Sequence, residues 1–141
     1  MNHKINRSFA FEDRVFAKYQ RAHEGVEQVG LLVDPSLPWL GASPDGLVMS
    51  GSNPQLIEIK SCRTFLGRRS PAWHQVQGAM AIATGAFQTP VTRCKLIDPA
   101  ETYTIYFDEA WWTKFLERLK KFYFGVFLPM AARRILQKVK S

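Results

Sequence analysis

The chain has 141 residues, 46% of them hydrophobic, which is enough apolar side chain for one core and too little length for a second domain of ordinary size. Cys62 and Cys94 are its only cysteines, which excludes a disulfide framework, a four-cysteine zinc site and a four-cysteine iron–sulfur cluster; both are expected to be reduced and structural. There is no secretory-type apolar stretch at the N-terminus and no run of about 18 apolar residues, so neither export nor membrane spanning is indicated and no membrane partner is expected.

The formal charge of +7 is carried by one end. Between Lys114 and Ser141 stand Lys114, Arg118, Lys120, Lys121, Arg133, Arg134, Lys138 and Lys140 against the single acid Glu117, whereas residues 1 to 113 balance. A basic end on a neutral body suits a polyanion, because each phosphate neutralised releases counterions. The plainer alternative is a solvated cationic helix face.

In chain order, residues 8 to 23 read as a helix capped by Ser8, with Phe9, Phe16, Ala17 and Tyr19 on its apolar side. Val26 to Val33 reads as a strand, broken by Asp34-Pro35-Ser36-Leu37-Pro38. Ser43-Pro44-Asp45-Gly46 has turn composition and leads into the short apolar run Leu47 to Met49. After a turn at Gly51-Ser52-Asn53-Pro54, the run Leu56-Ile57-Glu58-Ile59-Lys60 alternates as a half-buried strand does. A basic loop over 63 to 71 precedes a helix from Ala72 to Thr84, with Pro71 in its first turn and Gly85 closing it. Strands are expected over Val91 to Ile97 and Thr102 to Phe107. Asp108 then caps a long helix with an apolar stripe of Trp112, Phe115, Leu116, Leu119, Phe122 and Tyr123, kinked or ended at Pro129. The expectation is a single α/β domain over residues 1 to 141, a mixed central sheet flanked by helices, with a basic helical region from about 109 to 141.

The central hairpin carries the chemistry. Glu58 and Lys60, two apart on a strand, leave the same face, while Ile57 and Ile59 turn the other way. The preceding strand brings Asp45 against Glu58. Two carboxylates at a strand end are a hard-oxygen site for magnesium or manganese, to which the Ile59 carbonyl adds a third donor. A lysine beside such a site can orient water and stabilise developing charge during phosphodiester hydrolysis. Taken alone, an E-x-K pair on a strand is most often an exposed ion pair.

Three segments in this order, Leu40-Gly41-Ala42-Ser43-Pro44-Asp45-Gly46-Leu47-Val48, Leu56-Ile57-Glu58-Ile59-Lys60 and His74-Gln75-Val76-Gln77-Gly78-Ala79-Met80, resemble the YqaJ viral recombinase family, which includes the phage lambda exonuclease and falls within the PD-(D/E)XK nucleases. The resemblance runs from about Glu12 to Pro129. It implies a restriction-endonuclease-like αβββαβ core and metal-dependent 5′ to 3′ digestion of linear double-stranded DNA in recombination or repair. It further implies Asp45, Glu58 and the Ile59 carbonyl as ligands of Mg2+, for which Mn2+ may substitute in chemistry of this kind, and Lys60 as the water-activating group. Gln77 matches the family's helix glutamine and Ser43 its serine near the 5′-phosphate; Glu12, with Tyr19 seven residues on, resembles the N-terminal acidic position.

Gln75 and Gln77 lie about 200° apart on a helix, so only one can face the hairpin, and the motif ranks Gln77 first. His74 shares a face with Gln77 and is expected to pack rather than bind metal. Arg63, Arg68, Arg69 and Gln75 are candidate DNA contacts. Trp111, Trp112 and Phe115 have core spacing, although rings of this kind can also stack on bases. The partners implied are DNA with a free double-stranded end, further copies of the chain (relatives are trimers) and a single-strand annealing protein. The compartment implied is intracellular, either the cytoplasm of a bacterium or phage-infected cell or a nucleus. The alternatives are a structure-specific endonuclease or nickase, and a DNA-binding module without activity.

Overall fold

A computed structural model of the chain describes residues 2–49, 52, 54–63 and 67–141. The expected turn at 51–54 and the middle of the basic loop, residues 64–66, therefore fall wholly or partly outside the described residues. The chain divides into two compact units, residues 1–107 and 108–141, each described here by itself.

The first unit is built on a five-stranded sheet of order β1-β4-β5-β6-β7, from β1 (Val26–Glu27), β4 (Gly46–Val48), β5 (Gln55–Ile59), β6 (Arg93–Ile97) and β7 (Thr102–Tyr106). β5 and β6 run parallel and the other neighbours antiparallel. A parallel pair cannot be joined by a tight turn, and the crossover is the helix α2 (Pro71–Phe87). With α1 (Asn2–Ala22) ahead of β1, the elements of this layer follow one another as αβββαβ, the expected core. A small second sheet, β2 (Leu32–Val33) with β3 (Gly41–Ala42), is inserted between β1 and β4.

Several boundaries differ from the sequence reading for identifiable reasons. α1 begins at Asn2, so Ser8 lies within the helix and not at its start. The expected strand from Val26 to Val33 is two short strands in different sheets, so the chain leaves the main sheet after Glu27. The break that follows is held as expected: Asp34 Oδ1 accepts from the Ser36 amide and hydroxyl, both at 2.8 Å. α2 continues through Gly85 to Phe87 and ends on Gln88 in the left-handed region (φ 56°). Gly85 is instead a point of close approach, since a Cβ there would collide with the Asp34 carboxylate.

β5 is not half-buried. Leu56, Ile57, Glu58 and Ile59 are all buried, because helices cover both faces of this central strand. One face, with Ile57, Ile59, Val26 and Val48, packs against Phe11, Val15, Phe16 and Tyr19 of α1, whose spacing of four, one and three residues makes one helical stripe. The opposite face, carrying Glu58, turns toward α2.

In the second unit, Asp108 caps α3 (Glu109–Phe122) by accepting the Trp111 N–H at 2.9 Å. The helix then passes through a π-helical turn, Tyr123–Phe127, into α4 (Leu128–Lys140). Pro129 does not end the helical run; it stands two residues past the π-helical turn, in the first turn of α4. In the wider turn ahead of it the Leu128 N–H reaches back five residues to the Tyr123 carbonyl. Of the expected apolar stripe only Trp112 is buried, and Phe122 is exposed.

Gly46 has no positive φ among the described glycines, so the Ser-Pro-Asp-Gly segment does not use it as a turn glycine. It leads directly into β4, and a Cβ at Gly46 would lie 2.6 Å from Cε2 of Phe16. Overpacking of this kind costs about 1–3 kcal/mol. Gly46→Ala is accordingly expected to lower Tm by about 5 °C in thermal unfolding. The same substitution made on a Phe16→Ala background should cost close to nothing, and additive losses in the double variant would show that the ring is not what requires glycine.

Candidate active site

The candidate site lies within the first unit and is assembled by the β4–β5 register. Gly46 pairs with Ile57, so Asp45, one residue before β4, stands beside the end of β5. Its Oδ2 accepts the Ile59 N–H at 2.6 Å, which continues the ladder by one side-chain bond. Pro44 is buried and fixes the approach; Ser43 before it is exposed.

Glu58 is 7% exposed and has a second carboxylate for a neighbour. Burial first, and then the charge of Asp45, push its carboxyl up to about 7, against the opposing pull of Lys60. Burial also raises Asp45, less the effect of the Ile59 hydrogen bond and of Lys60. Lys60 follows the last residue of β5 and is tied to the next strand by its backbone N–H, which donates to Ile97 O at 2.8 Å. Its Nζ lies 3.3 Å from Glu58 Oε1 and donates to Gln75 Oε1 at 2.7 Å. The same amide of Gln75 donates through Nε2 to Glu58 Oε1 at 3.3 Å. Lys60, Glu58 and Gln75 thus close a triangle in which the amide is oriented from both ends, next to an open cavity of about 260 Å³ lined by Lys60, Pro71, Ala72 and Gln75.

The geometry places the two glutamines in different surroundings. Gln77 is fully buried, and its Nε2 donates to the Tyr106 carbonyl of β7 at 2.8 Å. Its amide is part of the packing between α2 and the sheet, while Gln75 is the one at the acidic pair. His74 is half-buried and edge-on to Trp73 at 5.8 Å.

The start of α2 is built by a residue that the sequence reading passed over. Ser70, 2% exposed, caps the helix by accepting the Trp73 N–H at 3.2 Å, while its own hydroxyl donates to Gly67 O at 2.7 Å. Gly67 has φ 79°, which the loop requires there. A Ser-Pro pair at a helix start is a recognisable signal for this cap. Arg68 lies with Cζ 4.9 Å from the centre of the Trp73 ring, a cation–π contact that places its charge at the start of α2. Arg63 and Arg69 are exposed on the same connection.

Cys62, beyond Lys60, is exposed, and Cys94 is buried in β6; both are free thiols. Glu12 is half-buried on α1. Among the described residues no group of three from His, Cys, Asp and Glu is placed to hold a metal ion. Trp111 and Phe115, in the second unit, stack on each other at 4.7 Å.

The donor set fits a hard divalent cation. Burial raises the proton affinity of both oxygen-donor carboxylates, Asp45 raises that of Glu58 further, and Lys60 brings one positive charge to meet the pair. Asp45, Glu58 and the Ile59 carbonyl are the atoms that would hold such an ion.

Comparison with known proteins bears on the fold and the lineage. The model of the YqaJ-like viral recombinase domain matches residues 9–86, a stretch that contains Glu12, Asp45, Glu58, Lys60 and Gln75. No curated protein matches the chain at a significant level. A solved structure of LHK-Exo in complex with dAMP is 22% identical, with a TM-score of 0.70 over 99% of this chain and 76% of that one. A second, an alkaline exonuclease (LHK-Exo) from Laribacter hongkongensis, is 21% identical, with a TM-score of 0.63 over 99% of this chain and 77% of that one. At these identities the likeness is one of fold, and it agrees with the mixed α/β architecture described above. Because the family match spans more than half of the sequence and includes the acidic hairpin, the chain belongs to the YqaJ-like viral recombinase family.

Proposed function

We propose that the protein is a metal-dependent DNA exonuclease that digests linear double-stranded DNA from the 5′ end. The observation that carries this reading is the joining of Asp45, Glu58, Lys60 and Gln75 at the end of the central strand beside an open cavity. Family membership supports nuclease chemistry in DNA recombination, and the two similar structures are of an exonuclease, one of them holding dAMP.

Mg2+ or Mn2+, held by Asp45, Glu58 and the Ile59 carbonyl, would supply water activation and neutralisation of the phosphate charge. The chain's own residues do the rest. Lys60 presents its ammonium to the cavity, where it orients water and balances the charge that develops on phosphate. Gln75 holds Lys60 and Glu58 in mutual register through one amide. Ser43, exposed ahead of Asp45, and Arg63, Arg68 and Arg69 contact DNA phosphates, with Arg68 positioned by Trp73. Glu12 acts from α1 on the water network, outside the ligand set. Further copies of the chain and a single-strand annealing protein are the partners that this role implies.

The test is digestion of end-labelled linear duplex and covalently closed circular DNA with Mg2+ or EDTA. Loss of the linear duplex alone, in Mg2+ alone, is the expected result; cutting of the circle would replace the exonuclease with an endonuclease. Asp45→Asn and Lys60→Ala should each lower the rate by about a hundredfold or more.

The two glutamines should separate cleanly. Gln75→Ala is expected to lower the rate at least about tenfold while leaving Tm nearly unchanged. Gln77→Ala removes a buried side chain and its bond to the Tyr106 carbonyl, and should lower stability by about 1–3 kcal/mol while folded protein keeps its rate. The opposite pattern would return Gln77 to the site.

The charge crowding also makes a stability prediction. A carboxyl held at about 7 in the folded chain, against an ordinary value of 4.5, binds its proton more tightly when folded. Folding stability therefore falls as pH rises from about 4.5 to 7, and the deficit, as much as about 3 kcal/mol, is fully present above that range. Glu58→Gln should raise Tm at pH 8 and change it little at pH 4.5. An equal effect at both pH values would show that the Glu58 carboxyl is not displaced.

A further inference from the structure

The second unit ends in a helix whose apolar side is bare. In α4 (Leu128–Lys140), Ile135 is 63% exposed, Leu136 58% and Val139 78%, with Leu128 at 42%. No acid follows Glu117 in the sequence. At roughly 100° per residue, Ala131, Ile135, Leu128, Val139, Ala132 and Leu136 share an apolar arc about 140° wide. Arg134 and Lys138 border one edge of this arc, and Arg133 and Lys140 the other. Exposed Phe122, Phe124 and Phe127 lie just before it.

This arrangement selects among anionic partners. Leu128, Ala132, Ile135 and Val139 have the four-three-four spacing of a coiled-coil seam, but the positions beside such a seam hold Pro129, Leu136, Ala131 and Lys138. Only one of those four is charged. Arg133, Arg134 and Lys140 point too far from the seam to pair with acids of a partner helix. Duplex DNA would engage the cations and leave the apolar arc in water. A planar anionic surface uses both features, since the wide arc enters the acyl boundary while the bordering lysines and arginines reach headgroups.

We infer that α4 is an amphipathic helix that attaches the protein peripherally to anionic lipid bilayers. No helix among the described residues is long and apolar enough to cross a membrane, so the helix lies in the interface. The expectation of no membrane partner, drawn from the lack of a spanning segment, does not extend to this mode of binding. The inference is independent of the nuclease reading, because it uses none of its residues.

Flotation of the full chain with vesicles of equal parts phosphatidylglycerol and phosphatidylcholine tests it, with pure phosphatidylcholine vesicles as the second arm. The chain should float with the anionic vesicles only. Ile135→Glu with Val139→Glu, and separately Arg134→Gln with Lys138→Gln, should each lower the bound fraction about tenfold or more, with circular dichroism unchanged. The altered positions are exposed, so folding is not at stake. Asp45→Asn should float as the parent does. Absence of flotation overturns the inference, as does flotation that survives the glutamate pair, which would mean attraction by charge alone. Concentration-dependent association in sedimentation velocity that the glutamate pair abolishes, without vesicle binding, would overturn it in favour of a second copy.

Discussion

The pairing of Gly46 with Ile57 is the constraint on which the site depends, because it sets two negative charges side by side in a place that water reaches poorly. Ordinarily a buried carboxylate is met by a cation or loses its charge. Here Lys60 answers Glu58, and a backbone N–H answers Asp45, but neither neutralises the pair. The register cannot slip by a residue to relieve this, since a slip would turn Ile57 and Ile59 away from α1 and expose the core face. The sheet's apolar packing thus holds the electrostatic cost in place, which is the relation expected of a site that gives up stability for chemistry.

α2 supplies the second wall, and its rotation decides what the site contains. Trp73, Val76, Met80 and Ala83 are buried, and they fix the helix so that Gln75 reaches Lys60 and Glu58. Ser70 fixes its starting point through two hydrogen bonds, and Gly67 allows the loop to approach it. One turn of helix therefore carries both a packing role and a polar role on opposite sides.

The hairpin was legible in the sequence because alternation on a strand is a strict rule: Glu58 and Lys60 had to share a face, and the isoleucines had to share the other. The depth of burial was not legible, since a run of five residues does not show that helices cover both of its faces. Motif and periodicity point to different glutamines. Gln77 lies four residues after Trp73, one after Val76 and three before Met80, squarely in the apolar stripe, whereas Gln75 lies off it. Periodicity accounts for the burial of Gln77 and the exposure of Gln75, whereas the motif carries no information on which way either side chain faces. The requirement for glycine at 46 had no local signal at all, because Phe16, which enforces it, is thirty residues away on α1.

The distribution of charge follows from the same economy of burial. A polyanion approaching Asp45 and Glu58 meets carboxylates first, so short-range attraction at the site must come from Lys60 and the arginines at the start of α2, together with whatever cation the pair holds. These local charges act over a Debye length of about 8 Å at physiological salt and serve mainly to orient. The chain's net positive charge is carried instead by the residues from Lys114 onward, and it can raise encounter rates with an anionic surface. At the site itself there is little room for more attraction: an arginine added beside Glu58 would compete for the oxygen that Lys60 and Gln75 already share.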